Sequence, residues 1–136
     1  MLDTLKNHAE NLNSLLELEG EEGQFEYLIE VGKKAPPLTE QDRVDKNKMS
    51  GCLAQVWIKY NKKGDKNYFL GDSDALIVKG LVIIISEALS GLTDDQIKEL
   101  KHDMVDELGL GPSLSARRQV GMMAMVDHIK IVTGVK

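Results

Sequence analysis

Apolar residues recur at helical spacing from the start of the chain. Across residues 4–18, Leu5, Leu12, Leu15 and Leu16 share one face, and Asn, Glu and Lys fill the other, which predicts an amphipathic helix. Residues 22–31 repeat the pattern with Phe25, Leu28 and Ile29, and Gly32 reads as the stop. Ala35-Pro36-Pro37-Leu38 cannot continue a helix, because proline lacks the amide donor and clashes with the preceding turn. From there to about Lys48 the chain is polar and reads as loop.

The period then changes to two. Ala54, Val56, Ile58 and Tyr60 alternate with Gln55, Trp57, Lys59 and Asn61, which favours a strand. Asn61-Lys-Lys-Gly64-Asp65 supplies turn residues, and Tyr68, Phe69 and Leu70 a second strand, so residues 53–71 read as a β-hairpin. A short strand around Lys48 and Met49 would add a third. Asp72-Ser73-Asp74 looks like a helix N-cap, since short oxygen-bearing side chains accept bonds from unpaired amides. The helix it opens, residues 74–89, is apolar on nearly every side, which implies deep burial. Thr93-Asp94-Asp95-Gln96 has capping-box spacing before a short helix to about Lys101. Another helix is expected near residues 104–108, then a break at Gly109-Leu-Gly111-Pro112. A final helix, capped by Ser113 or Ser115, should run to about Val132 and bury Met122, Met125, Val126, Ile129 and Val132.

At 136 residues with no internal repeat or linker, the chain reads as one domain, residues 1–136, large enough to bury a core without staples. The net charge of −5 gives no general attraction for a phosphate backbone, so nucleic acid is an unexpected partner. Lys59, Lys62, Lys63 and Lys66 read as a solvated turn. No apolar run is long enough to span a bilayer, and the first residues lack the apolar stretch of a signal peptide. One cysteine permits no internal disulfide, and a reducing cytoplasm is the default.

That cysteine, Cys52, follows Gly51 between the polar segment and the first strand. A lone cysteine is often a small buried hydrophobe. As a nucleophile it would instead need an ionised, reachable thiolate. His8, His102 and His128 are scattered and no paired ligand spacing occurs, so a metal site is not expected, and one thiol is too few for an iron–sulfur cluster. A Cys/His hydrolase needs only that nucleophile and base meet in space, but no local signature of one appears. The glycines near residue 110 have the wrong continuation for a phosphate loop.

Four blocks of sequence carry a resemblance. Met49-Ser-Gly51-Cys52-Leu-Ala-Gln55-Val56-Trp57 resembles the Gly-Cys-x-Ser-x-Val-Trp motif of SufE-like sulfur acceptors. Ser73-Asp74-Ala75-Leu-Ile77-Val78-Lys79-Gly80-Leu81 is similar to their Ser-Asp-Ala-x-Ile-Val-Lys-Gly-Leu segment, and Leu114-Ser115-Ala-Arg-Arg118-Gln-Val-Gly121-Met-Met-Ala124-Met125 to a later one. Ile29-Glu30-Val-Gly32-Lys33 resembles an early Ile-x-x-Gly-(Lys/Arg) segment. The blocks keep the family's order and span roughly residues 25–130. Two positions depart. Ala54 stands where Ser is usual, removing a hydroxyl near the thiol, and Glu22-Gly23 replaces an aromatic near the start of the second helix.

The resemblance implies an α+β fold of the SufE/IscU kind, a small antiparallel sheet of about three strands packed with several helices. It implies a sulfur carrier and desulfurase activator with transpersulfidation chemistry, not an ordinary turnover enzyme. Cys52 would take persulfide sulfur from a SufS- or CsdA-type cysteine desulfurase and pass it to an iron–sulfur scaffold complex. The chain itself would need no cofactor, since pyridoxal phosphate belongs to the desulfurase. Gly51 would give backbone freedom beside the thiol, although an ordinary turn glycine explains it equally. Asp74 would face the desulfurase, although helix capping also explains an acid there. Arg118 would stabilise a thiolate or touch a partner, and Gln55 and Trp57 would be structural. The reading opposed to all of this is a non-catalytic interaction module with an incidental cysteine.

Overall fold

The structure is a computed structural model that describes residues 3–49, 54–101 and 116–134, with the side chains of residues 4–49, 54–101 and 120–134. Two helices, α1 (Asp3–Glu19) and α2 (Glu21–Lys34), are followed by an irregular segment and the hairpin β1 (Val56–Lys63) and β2 (Lys66–Ser73). Then come α3 (Leu76–Leu89), the two-residue β3 (Leu92–Thr93), α4 (Asp94–Lys98) and α5 (Ala116–Thr133). The sheet is antiparallel in the order β1-β2-β3, and the expected α+β class holds.

α3 is the hub. Its mostly apolar sequence is explained by position: Leu81, Val82, Ile84, Ile85 and Leu89 are each 0 or 1% exposed, between the sheet on one side and α1, α2 and α5 on others. The sheet face against it carries Val56, Ile58 and Phe69, which are buried. Met122, Met125, Val126 and Ile129 of α5 are buried as the spacing predicts, and Val132 packs at the core's margin.

Gly32 is not the stop of α2, which runs on to Lys34 and ends at the prolines. Its place is a helix crossing: a Cβ on Gly32 would lie 3.5 Å from the Gly80 amide, and one on Gly80 would overlap the carbonyl of Leu28. Two glycines thus bring the backbones of α2 and α3 together. The hairpin turn falls at Gly64-Asp65, with Gly64 at φ 63°, a left-handed conformation that glycine adopts without a Cβ penalty. The expected third strand at Lys48 and Met49 is only a bridge, Lys48 to Trp57, on the β1 side. The third strand is Leu92–Thr93, on the β2 side.

β3 covers only the first two residues of β2. Beyond it the Ser90 hydroxyl accepts from the Phe69 amide at 3.0 Å and lies 3.2 Å from the Phe69 carbonyl oxygen. Thr93 and Gln96 form the predicted capping box. The short helix is confined to Asp94–Lys98, and the helix expected near residues 104–108, the break after it and the caps at Ser113 and Ser115 lie outside the described residues.

Candidate functional site

Cys52 and Gly51 lie outside the described residues, so the site is defined by what holds the chain on either side of them. On the N-terminal side, the Met49 amide donates to the Val56 carbonyl at 2.9 Å, and the Ile58 amide donates to the Asn47 carbonyl at 2.8 Å. Met49 is 3% exposed and anchors this end in the core. On the C-terminal side, Asp74 grips Gln55 twice: its carboxylate accepts from the Gln55 amide at 3.0 Å and from the Gln55 side chain at 3.1 Å. The Ser73 hydroxyl donates to the Gln55 carbonyl at 2.7 Å. Both ends of the segment containing Cys52 are therefore pinned to the hairpin.

A second clamp holds the approach to the segment. Asp72, fully buried, accepts from Arg43 Nε at 2.9 Å and Nη2 at 2.7 Å, from the Leu38 amide at 3.0 Å and from the Ser73 amide at 2.8 Å. Lys79 stands 3.7 Å away. The guanidinium of Arg43 also lies 5.1 Å from the centre of the Trp57 ring, at cation–π distance. Burial opposes ionisation of Asp72, but the Arg43 bonds and the two amides together outweigh it and hold the carboxyl below its ordinary range. Asn47 donates to the Asp42 carbonyl, and Lys59 pairs with Asp42 at 3.2 Å, so residues 38–49 are strapped across the hairpin rather than free in solvent.

The structure corrects the N-cap expectation. The helix begins at Leu76, its N-cap position is Ala75, and no side chain caps it. Asp72 and Ser73 belong to β2, and Asp74 to the connection. All three side chains organise the cysteine-bearing segment and its approach instead. Of the expected site residues, Gln55 and Asp74 are brought into contact. The backbone of Arg118 lies in α5, and its side chain is outside the described residues. Arg43 and Asn47 were not singled out by sequence reasoning, and Asp72 and Ser73 only as a cap and, for Ser73, as part of a motif block. The available signal was the acid-and-serine run itself, which a capping explanation absorbed.

His8 Nδ1 shares a 2.6 Å hydrogen bond with the Tyr27 hydroxyl, and burial pushes the His128 imidazole below its ordinary value. His102 lies outside the described residues. Among the described residues no group of three His, Cys, Asp or Glu side chains is placed to hold a metal, and no helix is long and apolar enough to cross a membrane. The lysine-rich turn is exposed from residue 61 to residue 66 as expected, and Lys59 and Lys62 also make ion pairs, Lys62 with Asp94 at 2.9 Å.

Comparison with known proteins covers nearly the whole chain. Residues 9–133 match the family SufE, the Fe-S metabolism associated domain. An uncharacterized SufE-like protein of Rhizobium etli is 39% identical over 114 residues, covering 80% of this chain and 77% of that protein. A counterpart in Synechocystis is 40% identical over 98 residues, 72% of this chain and 62% of the other. One in Rhizobium meliloti is 37% identical over 114 residues, with 80% and 81% covered. The solution structure of a hypothetical protein from Thermus thermophilus shares the fold, with a TM-score of 0.72 at 21% identity over 94% of this chain and 91% of that one.

Proposed function

Because the chain belongs to the SufE family, the Fe-S metabolism associated domain, we propose that it is a sulfur acceptor that carries sulfur as a persulfide on Cys52. The observation that supports this most is the pinning of residues 49 and 55 to one hairpin, which brackets the chain's one thiol between fixed ends. A thiol that must meet a sulfur on another protein benefits from such fixed ends, because the entropy of ordering them is not lost again at each encounter.

The donor is a cysteine desulfurase that holds an outer sulfur on its own cysteine. The Cys52 thiolate attacks that outer sulfur. The new S–S bond forms on Cys52, the donor's S–S bond breaks, and the donor cysteine leaves as thiolate with the electron pair. Sulfur moves with no external oxidant or reductant, as in thiol–disulfide exchange. One thiol per chain leaves no internal partner to displace the carried sulfur, so the persulfide waits for a recipient, an iron–sulfur scaffold. The chemistry requires no cofactor on this chain, and pyridoxal phosphate works in the donor.

The test is intact-protein mass spectrometry without reductant, after incubation with a SufS-type desulfurase and free cysteine. Wild type should gain mass in sulfur increments, and Cys52→Ser should gain none while still binding the desulfurase. Sulfur retained by Cys52→Ser would sink the mechanism.

A further inference from the structure

The pairing of β1 with β2 sorts the hairpin into two faces. Val56, Ile58, Tyr60 and Lys62 share one with Ser73, Gly71, Phe69 and Asn67, and its apolar members pack toward α3. The other carries the pairs Trp57–Asp72, Lys59–Leu70, Asn61–Tyr68 and Lys63–Lys66. At one end of this second face the strap of residues 38–49 roofs Trp57 and Asp72 through Arg43 and Leu38. The face beyond the strap is open: Leu70 is 59% exposed and Tyr68 36%. A depression of about 290 Å³ runs over it, lined by Lys59, Asn61, Lys63, Tyr68 and Leu70 among others.

The charges on this face are unbalanced. Lys63 and Lys66 are direct cross-strand neighbours, a like-charge pairing that costs stability. Neither has an ion-pair partner among the described residues, and Lys63 instead lies 5.6 Å from the centre of the Tyr68 ring. From Arg43 to Lys66 the chain has seven Lys and Arg and only two Asp and Glu, in a protein of net charge −5. Residues 3–34, the two N-terminal helices, have eight acidic residues and three basic ones. The strap, residues 38–49, balances three acidic residues against three basic ones, so the excess of basic charge lies on the hairpin at Lys63 and Lys66, and acidic charge on α1 and α2.

We infer that the open face formed by Lys63, Lys66, Tyr68 and Leu70 docks an acidic surface of the protein that donates sulfur to Cys52. The inference rests on the proposed reading of Cys52. An apolar pair ringed by lysines matches the make-up of a protein–protein patch, with apolar contact at its centre and charge at its rim. Leu70 pairs with Lys59, three residues along β1 from Val56, whose carbonyl holds Met49, so the face and the bracket around Cys52 belong to one hairpin. An extended polyanion such as nucleic acid would also feel the acidic helices and the overall charge of −5, whereas a compact acidic patch meets only the local lysines.

The experiment measures the initial rate of sulfur transfer from a SufS-type desulfurase, with free cysteine, against carrier concentration at low and at high salt. Wild type is compared with the double charge reversal Lys63→Glu/Lys66→Glu and the neutral double variant Lys63→Gln/Lys66→Gln. At low salt the reversal should raise KM for the carrier about tenfold and the neutral pair should fall between, with the rate at saturation unchanged. The differences should shrink at high salt as screening shortens the reach of the charges. Alkylation of Cys52 by iodoacetamide should proceed at the same rate in all three. Equal KM values at low salt, with wild type accepting sulfur normally, would overturn the docking face and leave the carrier reading intact. No sulfur on wild type would overturn both. Salt-sensitive binding of a short single-stranded oligonucleotide, tighter than that of the desulfurase and lost in the neutral variant, would assign the face to nucleic acid and overturn the inference.

Discussion

Replacing Arg43 with alanine tests the clamp on which the approach to Cys52 depends. The substitution removes two charge-assisted bonds, at 2.7 and 2.9 Å, from a carboxylate with no solvent exposure. Breaking one partner out of a fully buried pair costs about 3–5 kcal/mol. Here the Arg43 side chain is 35% exposed, and Lys79 and the Leu38 and Ser73 amides still face Asp72, so water and these groups recover part of the loss. The expected cost is about 2–3 kcal/mol, a fall of roughly 7–10 °C in Tm for a chain of this size, read by circular dichroism. Arg43→Lys should lie between, since an ammonium lacks the rigid fork that aims two N–H groups at the one Asp72 oxygen. The sign of the pH dependence follows from the lowered carboxyl of Asp72. Its stabilisation is fully present above the unfolded-state value of about 3.9 and is lost as pH falls through the lower folded-state value. The gap between wild type and variant should therefore narrow below about pH 4. A Tm within about 2 °C of wild type at neutral pH, or a gap that widens on acidification, would refute the clamp.

Two further outcomes follow from the geometry. Asp74→Ala should free Gln55 and speed alkylation of Cys52 by a small reagent while costing about 1 kcal/mol or less in denaturant unfolding, because Asp74 is exposed; an unchanged alkylation rate would show that this anchor does not govern the thiol. Gly80→Ala should destabilise by about 1–3 kcal/mol despite alanine's better helix propensity, because its methyl would overlap the Leu28 carbonyl; a more stable variant in urea would contradict the close crossing of α2 and α3.

Much of this fold was legible because its signals are local. The alternation from Val56 to Tyr60, the turn at Gly64 and the apolar stripe of α5 each report on neighbours within a few residues. The misreadings share a cause. Gly32 looked like a helix end because a glycine's local meaning is a stop, whereas its role is set by Gly80, 48 positions away. Asp72 looked like a cap because its partner Arg43 lies 29 residues upstream. β3 was missed because two residues carry no periodicity. Four motif blocks in order pointed to the family, and only the folded chain shows Gln55 and Asp74 gripping each other. Nothing in the geometry explains Ala54 in place of the family's usual serine.

The Ser90 hydroxyl accepts from the Phe69 amide, a donor that a neighbouring strand would otherwise use, and shares its own proton between the Ser86 carbonyl at 2.7 Å and the Phe69 carbonyl at 3.2 Å. Past β3, therefore, the sheet is terminated on the β2 side by a side chain at the end of a helix rather than by more backbone. Such a terminator cannot be copied from molecule to molecule, so it blocks templated growth of the sheet in that direction. A serine at the end of a helix thereby occupies the Phe69 donor through which another strand would extend the sheet past β3.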